Sequence, residues 1–252
     1  MTTTGAQRET AGLLRGVEVL QGCSTTTLDT LAEAASFIEL SQGQTLLRPD
    51  QIESHCFIVI DGSLRLLSKN PFGGALYTVG RAEENSVVGL ASLLRQQACE
   101  AVIARQPSKL ISLPLDVILK CAESDTQLNN NFSQFTSPCE FAKVLSHYIN
   151  RLPQPPEDPE AWIIEQLKQC SIAHEVSNTS GDLFLLSSEV LGSEWRVGEP
   201  IDIDELPALQ NASRLPIRLV QFKSNWKQIS HGDPEAQTSS AHSEQGAVSY
   251  TH

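Results

Sequence analysis

Side chains able to do covalent or acid–base chemistry are thinly spread along this chain. His55 and Cys56 are neighbours, a pairing that suits a thiol activated by an imidazole. In a strand, however, successive side chains point to opposite faces, so no dyad is expected. His147 falls in an apolar-faced helix and is expected at the surface or half-buried. Asp202, Asp204 and Glu205 carry enough oxygens for a hard cation. They lack the glycine and the wider ligand spacing of a calcium loop, and a solvated acidic loop is expected instead. The six cysteines, at 23, 56, 99, 121, 139 and 170, include no C-x-x-C pair. That argues against a zinc site or a disulfide scaffold and for buried apolar thiols in a reducing compartment. No G-x-x-x-x-G-K-[ST], G-x-S-x-G or H-E-x-x-H motif occurs. The reading is of a protein that is not an enzyme and that uses no metal and no cofactor.

Composition narrows the field further. The 252 residues are 40% hydrophobic and 19% charged, enough for one or two domains with proper cores. Eighteen basic side chains stand against 30 acidic ones, a formal charge of −12. That balance argues against nucleic-acid binding, which draws its affinity from neutralising phosphates. Aromatics are only 6%, so a surface for stacking bases would be small. No apolar run approaches the roughly 18–20 residues of a membrane span. The opening residues lack the basic start and apolar core of a secretory signal. A cytoplasmic location is expected.

The charge changes abruptly along the chain. Residues 1–152 are nearly balanced, with 12 basic and 15 acidic side chains. Between Pro153 and Asn211 twelve acidic residues face only Lys168 and Arg196. The junction, Pro153-Gln154-Pro155-Pro156-Glu157-Asp158-Pro159, cannot continue a helix and favours extended backbone. The expected organisation is therefore a domain at 1–152, a Pro-rich linker at 153–159, a small acidic α+β domain at 160–227 and a disordered tail at 228–252.

Hydrophobic periodicity supplies the elements that must position any site. Thr25-Thr26-Thr27 followed by Leu28, Leu31, Ala32, Ala35 and Ile38 reads as an N-cap and one apolar helical face. Short β-rich runs follow at 55–60, 63–67, 75–80, 100–105 and 109–113. Asp61-Gly62 reads as a hairpin turn, and Asn70-Pro71-Phe72-Gly73-Gly74 as a second. Helices are expected from Pro114 through Ala122 and over 138–152. Beyond the linker, a helix is expected at 160–167 and strands at 182–187, 195–197 and 216–222. Trp195 and Trp226 are expected in the core of that second unit. The fold class is α+β: a small, jelly-roll-like β-roll flanked by N- and C-terminal helices, then a small α+β accessory domain.

This order resembles the cyclic nucleotide-binding domain family over roughly residues 10–152. Gly62 falls where that family has an early turn glycine. The stretch Val88-Gly89-Leu90-Ala91-Ser92-Leu93-Leu94-Arg95-Gln96-Gln97-Ala98-Cys99-Glu100-Ala101-Val102 matches the length of its phosphate-binding cassette without a gap. The resemblance implies a ligand pocket built by Gly89, Leu90, Ala91, Ser92, Cys99, Glu100 and Ala101. In the family a Glu in the cassette accepts from the ribose hydroxyl and an Arg neutralises the phosphate. Here Leu90 and Cys99 stand at those two positions, and neither can take over the role. Removing one partner of a buried charge pair costs about 2–5 kcal/mol, so the pocket reads as degenerate. Glu100 would also repel a phosphate, while Arg95 and Arg105 are the nearby cations that could contact an anion.

The function expected is a non-catalytic cytoplasmic regulatory or interaction module with a protein partner, and without cyclic AMP or cyclic GMP binding. A second reading is a small-molecule sensor of altered specificity. A third, a transcription regulator of the catabolite-activator type, needs a basic helix-turn-helix, whereas the second half is acidic and strand-rich. The arrangement also faintly resembles the N-terminal region of cyanobacterial peptidase-type exporters, which implies the cytoplasmic part of a membrane exporter as a partner.

Overall fold

A computed structural model describes residues 5–173, 182–190, 194–211 and 217–223. Two helices come first, α1 (Gly5–Leu14) and α2 (Thr25–Ala34). The cap of α2 is Ser24, one residue earlier than the sequence suggests: its Oγ accepts from the Thr27 amide at 3.2 Å, and the three threonines form the first turn.

Eight strands follow: β1 (Ser36–Leu40), β2 (Thr45–Leu47), β3 (His55–Asp61), β4 (Leu64–Lys69), β5 (Leu76–Ala82), β6 (Val87–Val88), β7 (Ala101–Ala104) and β8 (Ser108–Pro114). Helix α2 thus stops short of Ile38, which the sequence places on its apolar face: Ala35 turns extended and Ile38 pairs with Leu110 in β1. A short helix, α3 (Leu90–Leu94), lies between β6 and β7. The strands make two antiparallel four-stranded sheets, ordered β1-β8-β3-β6 and β2-β7-β4-β5. Alternation fixes their faces. Val59 and Leu110 point between the sheets with Leu64, Leu66, Val88 and Val102. Cys56, Ile58, Ile111 and Leu113 point the other way, into a cluster with the helices. The Cys56 side chain is thus in that core, 2% exposed, while the His55 ring pairs with Ser54 Oγ at 2.9 Å.

One turn differs from the sequence reading. Asp61-Gly62 does not close a hairpin, because β3 and β4 belong to different sheets. It is a corner where the chain crosses from one sheet to the other. Gly62 has φ +99°, and a Cβ there would stand 2.7 Å from the Pro107 carbonyl oxygen, so the crossing requires glycine. The loop at 70–74 does join a hydrogen-bonded pair, β4 and β5.

Three helices leave the roll: α4 (Leu115–Ser124), α5 (Thr126–Gln134) and α6 (Pro138–Ile149). Sequence reasoning missed α5, whose run Thr-Gln-Leu-Asn-Asn-Asn-Phe-Ser-Gln is too polar to show a helical face. Asp125 holds it: one carboxylate oxygen accepts from the Gln127 and Leu128 amides, at 3.0 and 3.2 Å. The other reaches the start of α2, accepting from the Ser24 amide and Thr27 Oγ1 at 2.9 and 2.7 Å.

Past the Pro-rich stretch come α7 (Pro159–Gln166), β9 (Cys170–Ile172), β10 (Leu183–Leu186), α8 (Leu206–Asn211) and β11 (Leu219–Phe222). The three strands form one antiparallel sheet ordered β10-β11-β9. The run 195–197 is no strand; a single bridge, Leu185 to Pro200, lies nearby. Both faces of this sheet are covered. Phe184, Leu186 and Leu219 pack with Val190, Ile201, Leu209 and the half-buried Trp195. Leu185, Val220 and Phe222 pack on Phe141, Val144, Leu145 and Ile149 of α6, together with Tyr77 of β5. Helix α6 is therefore a shared wall, with one core drawing side chains from both sides of the linker. Trp226 and the tail at 228–252 lie outside the described residues.

Candidate functional site

The cassette residues come together where β6 turns into α3. Gly89 takes a left-handed conformation, φ +91°, and sends the chain into α3 with Leu90, Ala91 and Ser92 all buried. Ala101 opens β7 opposite it. Leu90 does not face the space between the sheets. It is 1% exposed and packs in the helix-side core with Cys56, Ile58, Ile118 and Phe132. The gap beside it is about 10 Å³, room for one water at most.

One backbone donor of the cassette, the Ser92 amide, is already taken. Glu100 is 2% exposed, and its Oε2 accepts from the Ser92 amide at 3.1 Å and from Ser92 Oγ at 3.2 Å. Ser92 Oγ in turn accepts from the Cys99 amide at 3.2 Å. Burial raises the Glu100 carboxyl above the usual range, against the lowering effect of these hydrogen bonds. Cys99 is buried too, and its thiol is pushed up to about 12, chiefly by loss of solvent and against the pull of the Arg95 charge. It is a neutral thiol at pH 7. An internal carboxyl thus sits on the donors that an oriented amide would offer an anion.

The two arginines part company. Arg105 is exposed at the end of the β7 corner, its amide donating to the Ser63 carbonyl at 2.9 Å. Arg95 is fully buried and turns toward the far sheet. Its Nε donates to the Ser187 carbonyl at 3.0 Å and its Nη2 to Gln97 Oε1 at 3.0 Å. The Glu189 amide donates to the Arg95 carbonyl at 2.9 Å, and Gln97 Nε2 donates to Glu189 Oε2 at 3.0 Å. A strap at 187–189 therefore lies over the end of α3.

The same strap is bolted to α6. Glu140 is 0% and Arg218 4% exposed. Arg218 Nε donates to Glu140 Oε1 at 3.0 Å and Nη2 to Oε2 at 3.1 Å, and Ser187 Oγ donates to Glu140 Oε1 at 2.8 Å. The remaining Arg218 donors reach the Phe132 and Phe135 carbonyls, the open end of α5. Sequence reasoning missed this cluster, since its hydrogen-bonded partners are 47 to 86 positions apart. The one local signal was Glu140, Lys143 and His147 recurring on one face of α6. His147 is half-buried, as expected. Asp202, Asp204 and Glu205 are exposed; Glu205 Oε2 accepts from the Asp202 amide at 3.2 Å and Asp202 Oδ1 from the Asp204 amide at 3.3 Å.

The roll, with its cassette between β6 and β7, is the part of the chain that matches a known family. Residues 37–125 match the family model described as Cyclic nucleotide-binding domain. No curated protein matches the chain. Among solved structures, the chain is similar to a regulatory subunit of a cAMP-independent protein kinase A from Trypanosoma cruzi bound to guanosine, at 16% identity and TM-score 0.49, covering 55% of this chain and 48% of that one. It is similar to a cyclic nucleotide-binding-like protein from Brucella abortus, at 18% identity and TM-score 0.39, covering 46% and 98%. A third is a putative cAMP-binding regulatory protein from Silicibacter pomeroyi, at 19% identity and TM-score 0.44, covering 50% and 57%. The chain spans about half the length of the trypanosomal subunit it matches. No helix among the described residues is long and apolar enough to cross a membrane.

Proposed function

We propose that this chain is a non-catalytic, cytoplasmic regulatory or interaction module that no longer captures cyclic nucleotides and works through a protein partner. The observation that carries this reading is Glu100: its carboxyl occupies the Ser92 amide and hydroxyl, where an incoming phosphate would need donors. Cys99 adds no positive charge, and Leu90 is committed to the helix-side core. Residues 160–227 act in this reading as an accessory domain held to the roll through α6 and the 187–189 strap. An exporter's cytoplasmic part is one partner of fitting location.

The test is a thermal shift with cyclic AMP and cyclic GMP at millimolar concentration. A ligand at or below its Kd stabilises by less than ~0.4 kcal/mol, and no shift is expected. The positive control is Glu100→Ala with Cys99→Arg, which frees the Ser92 donors and supplies a guanidinium; it gains a shift that the native chain lacks. A clear shift in the native chain overturns the reading.

A further inference from the structure

Leu90 fills the helix side of the cassette and leaves a gap of only about 10 Å³. A larger space survives elsewhere in the roll. A cavity of about 270 Å³ lies beside β5 and β6, which are edge strands of different sheets. None of its lining residues belongs to the cassette stretch 89–101. The volume is near the lower end of small-molecule sites, about 300 Å³.

Several elements wall it in. Strands β4 and β5 bring Leu66, Arg81 and Ala82, and the β5–β6 turn and β6 bring Asn85 and Val88. The single turn Glu18–Leu20 brings Glu18 and Val19, alongside Gln134 and Phe135 at the end of α5. These walls are fixed in advance. Asn131 Nδ2 donates to the Val19 and Gln21 carbonyls at 3.0 and 2.9 Å, which ties that turn to α5. The Asn85 amide donates to the Val59 carbonyl at 2.9 Å, which holds the β5–β6 turn. Pro138, at the start of α6, seats closely on β5 because Gly80 has no side chain: a Cβ there would stand 3.3 Å from the Pro138 ring. A preformed site loses less on binding than one that must be ordered.

The lining is divided by depth. Val19, Leu66, Ala82 and Val88 are buried and form an apolar floor. Glu18, Arg81, Asn85 and Gln134 are exposed at the rim. The ion pairs among the described residues are Lys109–Glu39, Lys120–Asp116, Arg151–Glu199 and Arg218–Glu140, so Arg81 and Glu18 belong to none. Arg65, opposite Arg81 in the β4–β5 register, differs: its guanidinium donates to Thr78 Oγ1 at 2.6 and 3.2 Å. One cation and one carboxylate thus border the same apolar floor from different walls, each without a partner among the described residues.

We propose that this cavity binds a small zwitterion with an apolar body, the class of free hydrophobic α-amino acids. The ligand's carboxylate meets Arg81, its ammonium meets Glu18, and its side chain lies on the floor of Val19, Leu66, Ala82 and Val88. A simple organic anion would bring its charge to Glu18 unpaired, and a simple amine would do the same to Arg81. Exposed charges contribute little alone, so the apolar floor supplies affinity and the two charges supply selectivity. The site is separate from the donors that Glu100 occupies and stands whether or not the cassette binds cyclic nucleotides.

The experiment applies titration calorimetry and melting temperature to the full chain with L-phenylalanine and L-leucine at millimolar concentration. Two half-ligands are the controls: 3-phenylpropionate, which lacks the ammonium, and phenethylamine, which lacks the carboxylate. Either amino acid is expected to raise the melting temperature with the logarithm of its concentration, and both half-ligands should bind at least fivefold more weakly than L-phenylalanine. Arg81→Met and Glu18→Gln change exposed side chains and spare the fold; each should weaken the amino acid at least fivefold. In Glu18→Gln the preference for L-phenylalanine over 3-phenylpropionate should also disappear. No response to either amino acid overturns the proposal. Half-ligands that bind as well as L-phenylalanine also overturn it, as does unchanged affinity in either variant.

Discussion

Arg218→Met should release the second sheet from α6. Arg218 meets both oxygens of the buried Glu140 carboxylate and two carbonyls at the end of α5. Removing one partner of a buried pair typically costs 3–5 kcal/mol, because the other charge stays behind without compensation. The carbonyl oxygens of Phe132 and Phe135 also lose a donor, at about 1–3 kcal/mol for each one kept from water. Against a total stability of about 5–15 kcal/mol, a loss of this size is large. It falls first on the seam, since the pair joins α6 to the strand-bearing segment. Urea unfolding reads it in two channels. All three tryptophans, at 162, 195 and 226, follow the linker, so their fluorescence reports the second unit, while far-UV circular dichroism reports the whole chain. The fluorescence transition should move to lower urea by more than the dichroism transition. In the double variant Glu140→Met with Arg218→Met no buried charge is stranded, so it should be more stable than Arg218→Met alone. A loss under 1 kcal/mol in the single variant, or a double variant whose loss is the sum of the two singles, refutes the reasoning.

Leu90→Glu places a carboxylate in an apolar core with about 10 Å³ of space, and it should lower the unfolding free energy by several kcal/mol without restoring cyclic nucleotide binding; a stable variant that binds cyclic AMP contradicts this. Asp125 is held down to about 2 by the Thr27 hydroxyl and the Ser24 and Leu128 amides. Its stabilisation is therefore complete above the ordinary 3.8 and is lost as pH falls toward 2. An acid titration of Asp125→Asn, less stable at neutral pH, should lack that part of the decline. Limited proteolysis should cut within 153–159, and the two pieces should stay together on gel filtration because α6 shares its core with both; immediate separation counts against the shared wall.

The roll was legible because most of its strands are short apolar, β-rich runs with turn residues between them. Local signals could not tell which sheet a strand would join, so Asp61-Gly62 read as a hairpin although it crosses between sheets. Helix α5 was hidden by its asparagines, and its support, Asp125, works through a contact with Ser24 and Thr27 about 100 positions away. In the cassette, the replacements at Leu90 and Cys99 were visible at once. Glu100 was read only as a repulsive neighbour, and its bond to the Ser92 amide became visible only in three dimensions. The Glu140–Arg218 pair was not legible, since the polar face of α6 marks Glu140 but nothing local links it to an arginine beside β11.

The seven residues of the Pro-rich stretch set how the two units respond when the strap lets go. Fully extended, they reach about 25 Å, so a detached second unit remains close to its own α6. Tethering over such a distance holds the loose partner at an effective concentration in the millimolar range. An outside protein competing for the exposed wall of α6 faces that concentration continuously. It must either bind far more tightly than the strap does or arrive in company with something that weakens the strap. The tether thus sets an affinity threshold, and a partner of ordinary micromolar strength would meet α6 only when a second event loosens the seam.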